Sequence, residues 1–246
     1  MEKRPLTPHQ EMPPVVDIKR GSALFPEKIS TVFGVKTPDI IQAVGNINLL
    51  QKSGIGFCGS RQSSPKGLAV ACECVKQLIT SGIVTISGYA KGVDMAAHTA
   101  ALEHGGETII ILPEGLQNFK IKKEIAPFWD WERVLVLSQF QADAPWTVWR
   151  AMERNSLIIG LSKAMVVIEA GTTGGTFNAG QTTLKANHPL FVIKYADMTS
   201  TPGNEKLIQM GGHPISKSRA TQLPNLSHIL ATIEPKREIP SQFNLF

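Results

Sequence analysis

Two patterns of apolar spacing alternate along the chain. Short uninterrupted apolar runs occupy 55–58, 83–86, 108–112, 134–137, 165–168 and 190–193. Between them lie longer stretches in which apolar residues recur at three and four positions: 65–81, 93–104, 146–161, 176–185 and 204–210. Runs that are apolar throughout, rather than alternating, are expected of strands buried on both faces of a parallel sheet. The three-and-four spacing predicts helices. Ser64 followed by Pro65 suits a helix cap and first position. Repeated strand–helix units with right-handed crossovers predict an α/β protein, a doubly wound, mostly parallel sheet of the extended Rossmann-like type. A further helix is predicted over 37–52, where Ile40, Ile41, Val44, Ile47 and Leu50 keep helical spacing behind Thr37 and Pro38. Residues 1–22 are rich in Pro, Lys and Glu without an apolar period, so they are expected to form an arm. A single domain would then fill 23–233, and 234–246, carrying Pro235 and Pro240, would be a docking or dangling tail.

Composition narrows the class. The chain has 246 residues, 42% hydrophobic and 18% charged, which suits a globular protein with a sizeable core. It contains no apolar run of bilayer length and no basic-then-apolar start, so a cytoplasmic protein without a membrane partner is expected. Lys plus Arg total 25 against 20 Asp plus Glu, a formal charge of +5. That balance permits a polyanionic partner without demanding one. The cysteines, Cys58, Cys72 and Cys74, are odd in number and form no CxxC pair. Neither a disulfide framework nor a zinc site is expected of them, and they read as small buried side chains. No metal or cofactor is implied.

Candidate chemistry gathers where strands run into helices. In an open parallel sheet, ligands bind beyond the carboxyl ends of the strands. Gly59-Ser60-Arg61 follows the first run, and glycine permits close backbone approach. Ser60 adds a hydroxyl, Arg61 a guanidinium, and the helix beginning at Pro65 an N-terminus whose free N–H groups favour anions. Ser87-Gly88, with Lys91 and Gly92, repeats this composition before the helix at 93. Asp94 there reads as a helix cap, and His98 as a buried packing or hydrogen-bonding residue. Gly174-Gly175-Thr176 precedes the helix at 176 and has the composition of an anion cradle. Three such turns at one sheet edge point to a phosphate-bearing ligand. Arg150 and Arg154 share a helix face, with Asn155 beside them; Lys120 and Lys122, with Lys123, add charge after the run at 108–112. Paired carboxylates, HExxH, a nucleophile elbow, a Walker loop and the dinucleotide fingerprint are all missing, which disfavours the corresponding enzymes.

In order and spacing, these residues resemble the DprA/Smf family of DNA-processing proteins. The resemblance runs from about Phe25 to Gly212. Its most specific stretch is Ser87-Gly88-Tyr89-Ala90-Lys91-Gly92-Val93-Asp94, continued by Ala97-His98; Arg154-Asn155 and Gly174-Gly175-Thr176 follow. The resemblance implies a Rossmann-like protein that binds single-stranded DNA in a basic pocket, acts in transformation and recombination, helps load RecA, forms a homodimer and catalyses no reaction. Arg61 matches the family's DNA-contacting arginine. The apolar segment 207–210 could serve an interface or the core. Ser156 stands where the family has a second arginine, and Ser138-Gln139 and Ile193-Lys194-Tyr195 also depart from its pattern. On this resemblance, the 246 residues are expected to hold neither the helical N-terminal nor the winged-helix C-terminal module of many members. The competing readings are a free-nucleotide sensor and a phosphoribohydrolase-like enzyme sharing the fold; for the latter, Ala179 stands where the catalytic glutamate belongs.

Overall fold

A computed structural model of the chain describes residues 11–197 and 201–233. The six apolar runs are strands: β3 (Gly54–Cys58), β4 (Val84–Ser87), β5 (Thr108–Ile111), β6 (Val134–Ser138), β7 (Met165–Val167) and β8 (Leu190–Ile193). Every residue of each is buried, as expected of strands covered on both faces. All six pair in parallel. The main helices are α2 (Pro65–Ile79), α3 (Val93–Glu103), α6 (Gly175–Lys185) and α7 (Pro202–Gln209), within a residue or two of the expected bounds. The α2 cap is as anticipated: Ser64 Oγ accepts from Gly67 N at 3.0 Å, with Pro65 in the first turn.

With β1 (Val16–Lys19), β2 (Ile40–Gly45) and β9 (His213–Ile215), the sheet has nine strands in the order β1-β2-β6-β5-β4-β3-β7-β8-β9. Only β2 runs against its neighbours. From β3 the chain winds outward through β4, β5 and β6 on one side. It then returns to β7, β8 and β9 on the other, so the winding reverses between β3 and β7. On one face, Val75, Leu78, Ala97 and Ala101 from α2 and α3 pack with Ile55, Phe57 and Val166. On the other, Leu157, Ile158, Phe177 and Leu207 pack with Ile109, Leu135 and Val167. Each fully buried Leu, Ile or Phe contributes roughly 1.5–3 kcal/mol of transfer free energy.

Three expectations are corrected. The segment 37–52 is no helix. Ile40–Gly45 is strand β2, antiparallel to β6 with Ala43 opposite Leu137, followed by a 3-10 turn over Ile47–Gln51. Ile41, Ala43 and Val44 are all buried between sheet neighbours, and β-branched residues favour that pleated setting. Gly45 has φ +103° and sits so close to Val134 O that a Cβ would lie 2.2 Å from it, so no helix continues through it. Second, the arm is not free of structure: Val16–Lys19 is the edge strand β1, paired with β2, so the boundary at residue 22 cuts through the domain. Third, 146–161 is two short helices, α4 (Val148–Glu153) and α5 (Asn155–Leu161), meeting at Arg154. The chain also forms α1 (Ile29–Phe33) and α8 (Ser227–Ile233), and the expected tail at 234–246 lies outside the described residues. No described helix is long and apolar enough to cross a membrane.

Candidate nucleic-acid interface

A cavity of about 540 Å³ opens where the winding reverses, beyond the carboxyl ends of β3 and β7. This is where an open α/β sheet places ligands. Of the residues singled out in the sequence, Gly59, Ser60, Arg61, Asp94, Arg154, Asn155, Gly174, Gly175 and Thr176 line it.

The turn after β3 is held from behind. Ser60 N donates to Glu169 O at 2.8 Å, and Ser60 Oγ accepts from Gln62 N at 3.0 Å. Arg61 is exposed, its guanidinium carbon 5.4 Å from the Trp146 ring centroid. The expected anion site at the start of α2, however, is filled by the protein itself. The Glu169 carboxylate accepts from Ser63 Oγ (2.6 Å), Ser64 N (2.8 Å) and Ser64 Oγ (2.5 Å). A carboxylate already sits where a phosphate would complement the helix dipole.

The start of α6 is different. Gly174 caps it without a side-chain bond, and its first turn carries no acid. A Cβ built on Gly174 (φ +92°) or Gly175 would meet nothing within 4 Å. The free N–H groups and positive dipole end of an 11-residue helix therefore face open space in the cavity.

The Ser87-Gly88 turn is mostly internal scaffolding. Ser87 Oγ donates to Phe57 O at 2.6 Å. Gly88 is the seat of Arg154, whose guanidinium occupies the space of a glycine side chain. Arg154 is 5% exposed, its Nη1 donates to Ile111 O at 3.1 Å, and its Nε has no partner among the described residues. Asp94, buried at the start of α3, accepts from Ala90 N at 3.4 Å. Burial raises its carboxyl pKa, opposed by the positive charge of Arg154. His98 is fully buried: Nε2 donates to Gly88 O, and Nδ1 lies 2.6 Å from Thr108 Oγ1. Burial lowers its pKa to about 4, so the imidazole is neutral and ties the turn to β5. His98 is a buried hydrogen-bonding residue, as the sequence suggested; Asp94 is not the helix cap, which is Gly92, but lies in the first turn of α3 and lines the cavity.

The remaining cations are dispersed. Lys91, Gly92 and Lys122 line an adjoining hollow of about 480 Å³. Lys122 is bound to Tyr89: its Nζ donates to Tyr89 O, and its backbone N donates to the Tyr89 hydroxyl at 3.0 Å. Lys120 is exposed and lines neither hollow. Arg150 lies at the rim, Nη1 donating to Pro145 O at 2.5 Å, its guanidinium near the rings of Phe140 and Trp149 (5.7 and 5.0 Å).

That rim holds residues the sequence reading missed. Trp146, Val148, Trp149 and Met152 are 47%, 65%, 56% and 41% exposed, and Val148 and Met152 line the cavity. The signal was present: four large apolar residues crowd into 146–152, more than one face of so short a helix can bury, and α4 buries only Ala151. Such an exposed apolar patch beside a cavity marks an interaction surface, and aromatic rings interleaved with arginines suit base stacking.

Comparison with known proteins identifies the family and the fold. The family profile of DNA recombination-mediator protein A matches residues 18–225. DNA processing protein DprA of Streptococcus pneumoniae is 29% identical over 198 residues, covering 79% of this chain and 69% of that protein. Protein Smf of Escherichia coli is 27% identical over 199 residues, and the chain spans about half (51%) of its length. Among solved structures, the S. pneumoniae DprA structure superimposes with a TM-score of 0.76 at 26% identity, covering 92% of this chain and 76% of that one. The structure of Helicobacter pylori DNA processing protein A, described for its single-stranded DNA binding mode, shares the fold with a TM-score of 0.72 at 22% identity over 91% of this chain. The chain belongs to the DNA recombination-mediator protein A family, the DprA/Smf DNA-processing proteins.

Proposed function

We propose that the cavity at the winding reversal holds a segment of single-stranded DNA and that the protein acts by binding it, without catalysing a reaction. The observation that carries this reading is the pairing, across one cavity, of an uncapped α6 N-terminus with Arg61. Both are suited to backbone phosphates, and an exposed Trp146–Trp149 rim beside them is suited to bases. The binding described for the H. pylori relative supports it. Of the acids near the cavity, Glu169 is bound to the start of α2, and Asp94, which lines the cavity, accepts from Ala90 N and lies beside the positive charge of Arg154. Ala179, where a related hydrolase would carry its glutamate, is buried in α6. A role in DNA uptake and recombination, loading of a RecA-type recombinase, a homodimer and a cytoplasmic setting are part of the same proposal and rest on the family. Light scattering on the 26.7 kDa chain tests the dimer: a monomer at high concentration refutes it.

The test of binding is a titration of the full chain with single-stranded and duplex oligonucleotides and with mononucleotides, repeated with Arg61→Ala. Wild type should prefer the single strand. A charge-assisted phosphate contact is worth roughly 1.5–3 kcal/mol, so the variant should bind about ten- to hundredfold more weakly. Its salt slope should be shallower by about 0.7, the value for one single-strand phosphate contact. Equal affinity and slope in a folded variant would refute a DNA role for Arg61. Binding of mononucleotides alone would favour a nucleotide sensor instead.

A further inference from the structure

We propose that single-stranded DNA leaving the first cavity crosses the start of α2 and enters a second hollow at the carboxyl ends of β8 and β9. The inference rests on the reading of the first cavity. The hollow measures about 620 Å³ and lies at the same sheet edge, on the far side of α2. Its floor includes Ile193 and Ile215, the last residues of their strands, and Leu223. Its rim carries Lys66, Lys194 and Lys217, all exposed, and none of the three is in an ion pair among the described residues. Glu73 is the acid among its lining residues and accepts from Gln77 Nε2 at 3.3 Å, and Glu169 lies near Tyr195 at the edge toward the first cavity.

The hollow is preformed. Lys194 N donates to Ile215 O at 2.8 Å, which anchors one lysine to the sheet. Lys217 pairs with Pro224 in an isolated bridge, and Ser218 N donates to Leu223 O at 2.8 Å, which closes the loop over the floor. The Lys66 ammonium lies 5.2 Å from the Tyr195 ring centroid, holding a cation at the edge nearest the first cavity.

Continuity selects the occupant. Gln62 lines the first cavity and Lys66 the second. Four residues of chain span at most about 14 Å, so the Cα atoms of these two lining residues lie within that distance at this edge. Bases have apolar faces that suit an apolar floor without sequence preference, and exposed lysines spaced around it suit successive phosphates. One polyanion with flat apolar side groups fits both hollows, and it passes the Glu169 carboxylate at the start of α2, which Ser63 and Ser64 hold by three hydrogen bonds.

The experiment compares a short oligonucleotide of about four thymidines with one of about sixteen, on the full wild-type chain, on Arg61→Ala and on Lys194→Ala/Lys217→Ala. Both replaced lysines are exposed, so the double variant should fold; circular dichroism checks this. It should bind the short oligonucleotide as wild type does. It should bind the long one roughly tenfold more weakly, with a salt slope shallower by about 1.4, the value for two single-strand phosphate contacts. Cross-linking of a long oligonucleotide carrying iododeoxyuridine should label the segments around Tyr195 and Leu223 in wild type. Unchanged affinity and slope for the long oligonucleotide in the double variant overturn the proposal, as does equal weakening of both lengths. Thymidine monophosphate binding that depends on Lys194 and Lys217 while long-strand binding does not would also overturn it. If Arg61→Ala weakens both lengths while the lysine variant weakens neither, only this inference fails. If wild type binds no oligonucleotide, the reading of the first cavity fails as well.

Discussion

Replacing Gly88 with alanine places a methyl group inside the Arg154 guanidinium. The new Cβ would lie 1.7 Å from Nη1 and 2.4 Å from both Cζ and Nη2. The backbone is not the obstacle, because Gly88 is not among the residues of positive φ. In isolation the substitution should even favour the fold by roughly 0.4–1 kcal/mol, through a less flexible unfolded chain. The cost comes from the arginine, which is 5% exposed and must swing into the cavity to make room. It then loses its charge-assisted bond to Ile111 O, worth roughly 1.5–3 kcal/mol, and leaves the buried Asp94 with less compensation. The net expectation is a loss of about 1–2 kcal/mol, or a Tm lower by about 2–8 °C for a chain of this size. Calorimetry or a denaturant midpoint reads this directly. The decisive arm is a double-mutant cycle: in an Arg154→Met background the clashing group is gone, so Gly88→Ala should cost little. If Gly88→Ala melts with wild type, or costs the same in both backgrounds, Gly88 is not the seat of Arg154.

Three further outcomes follow from the same contacts. Arg61→Ala, which weakens DNA binding, should change stability by no more than about 0.5 kcal/mol, since its visible contact is an exposed cation–π pair with Trp146; a large loss would show a structural role. Glu169→Ala strips three bonds from the start of α2 and should cost about 1–2 kcal/mol by denaturant titration, and adding Ser63→Ala should then cost little more; a stable Glu169→Ala variant refutes the brace. His98 has its pKa lowered from 6.5 to about 4 in the fold, so it supports stability above 6.5 and loses that support as pH falls from 6.5 toward 4, by about 1.4 kcal/mol per unit. Asp94, with a raised pKa, acts in the opposite sense on acidification, so the readout is wild type minus His98→Gln: wild type should lose stability more steeply, and parallel curves would refute a neutral buried imidazole.

The central units from β3 to β8 were legible because their strands are buried on both faces, and an unbroken apolar run is the direct imprint of that burial. Strand β2 was not legible. Ile40, Ile41, Val44, Ile47 and Leu50 satisfy a helical period by coincidence: the first three belong to a strand and the last two to a 3-10 turn capped by Asn46, whose side chain accepts from Asn48 N at 3.1 Å. What separates the readings is pairing with β6, more than 90 residues away at Ala43 and Leu137, which no local window contains. β1 was missed for a different reason: as an edge strand of four residues it buries only Ile18, and the two alternating apolar positions, Val16 and Ile18, are too few to establish a period.

The glycine turns show the same limit at the scale of a site. In the sequence Gly59, Gly67, Gly88, Gly92, Gly174 and Gly175 look alike, each a small residue near a helix start. In the fold they divide by what faces the missing side chain. Gly59 makes room for Val93, Gly67 for the Glu169 carboxylate, Gly88 for the Arg154 guanidinium and Gly92 for Ser60 O. Those glycines admit the protein's own groups, most of them from distant parts of the chain. Gly174 and Gly175 face nothing within 4 Å. Close approach needs a small residue whether the visitor is a ligand or another part of the chain, so composition identifies the sheet edge that binds but not the turn that remains open. The open turn is the one whose helix start lacks both a capping side chain and an acid, and at α2 the acid that closes the site comes from the end of β7, more than 100 residues from the serines it holds. A phosphate binds where the fold has left a dipole unanswered, and that is decided by tertiary contacts rather than by the glycines themselves.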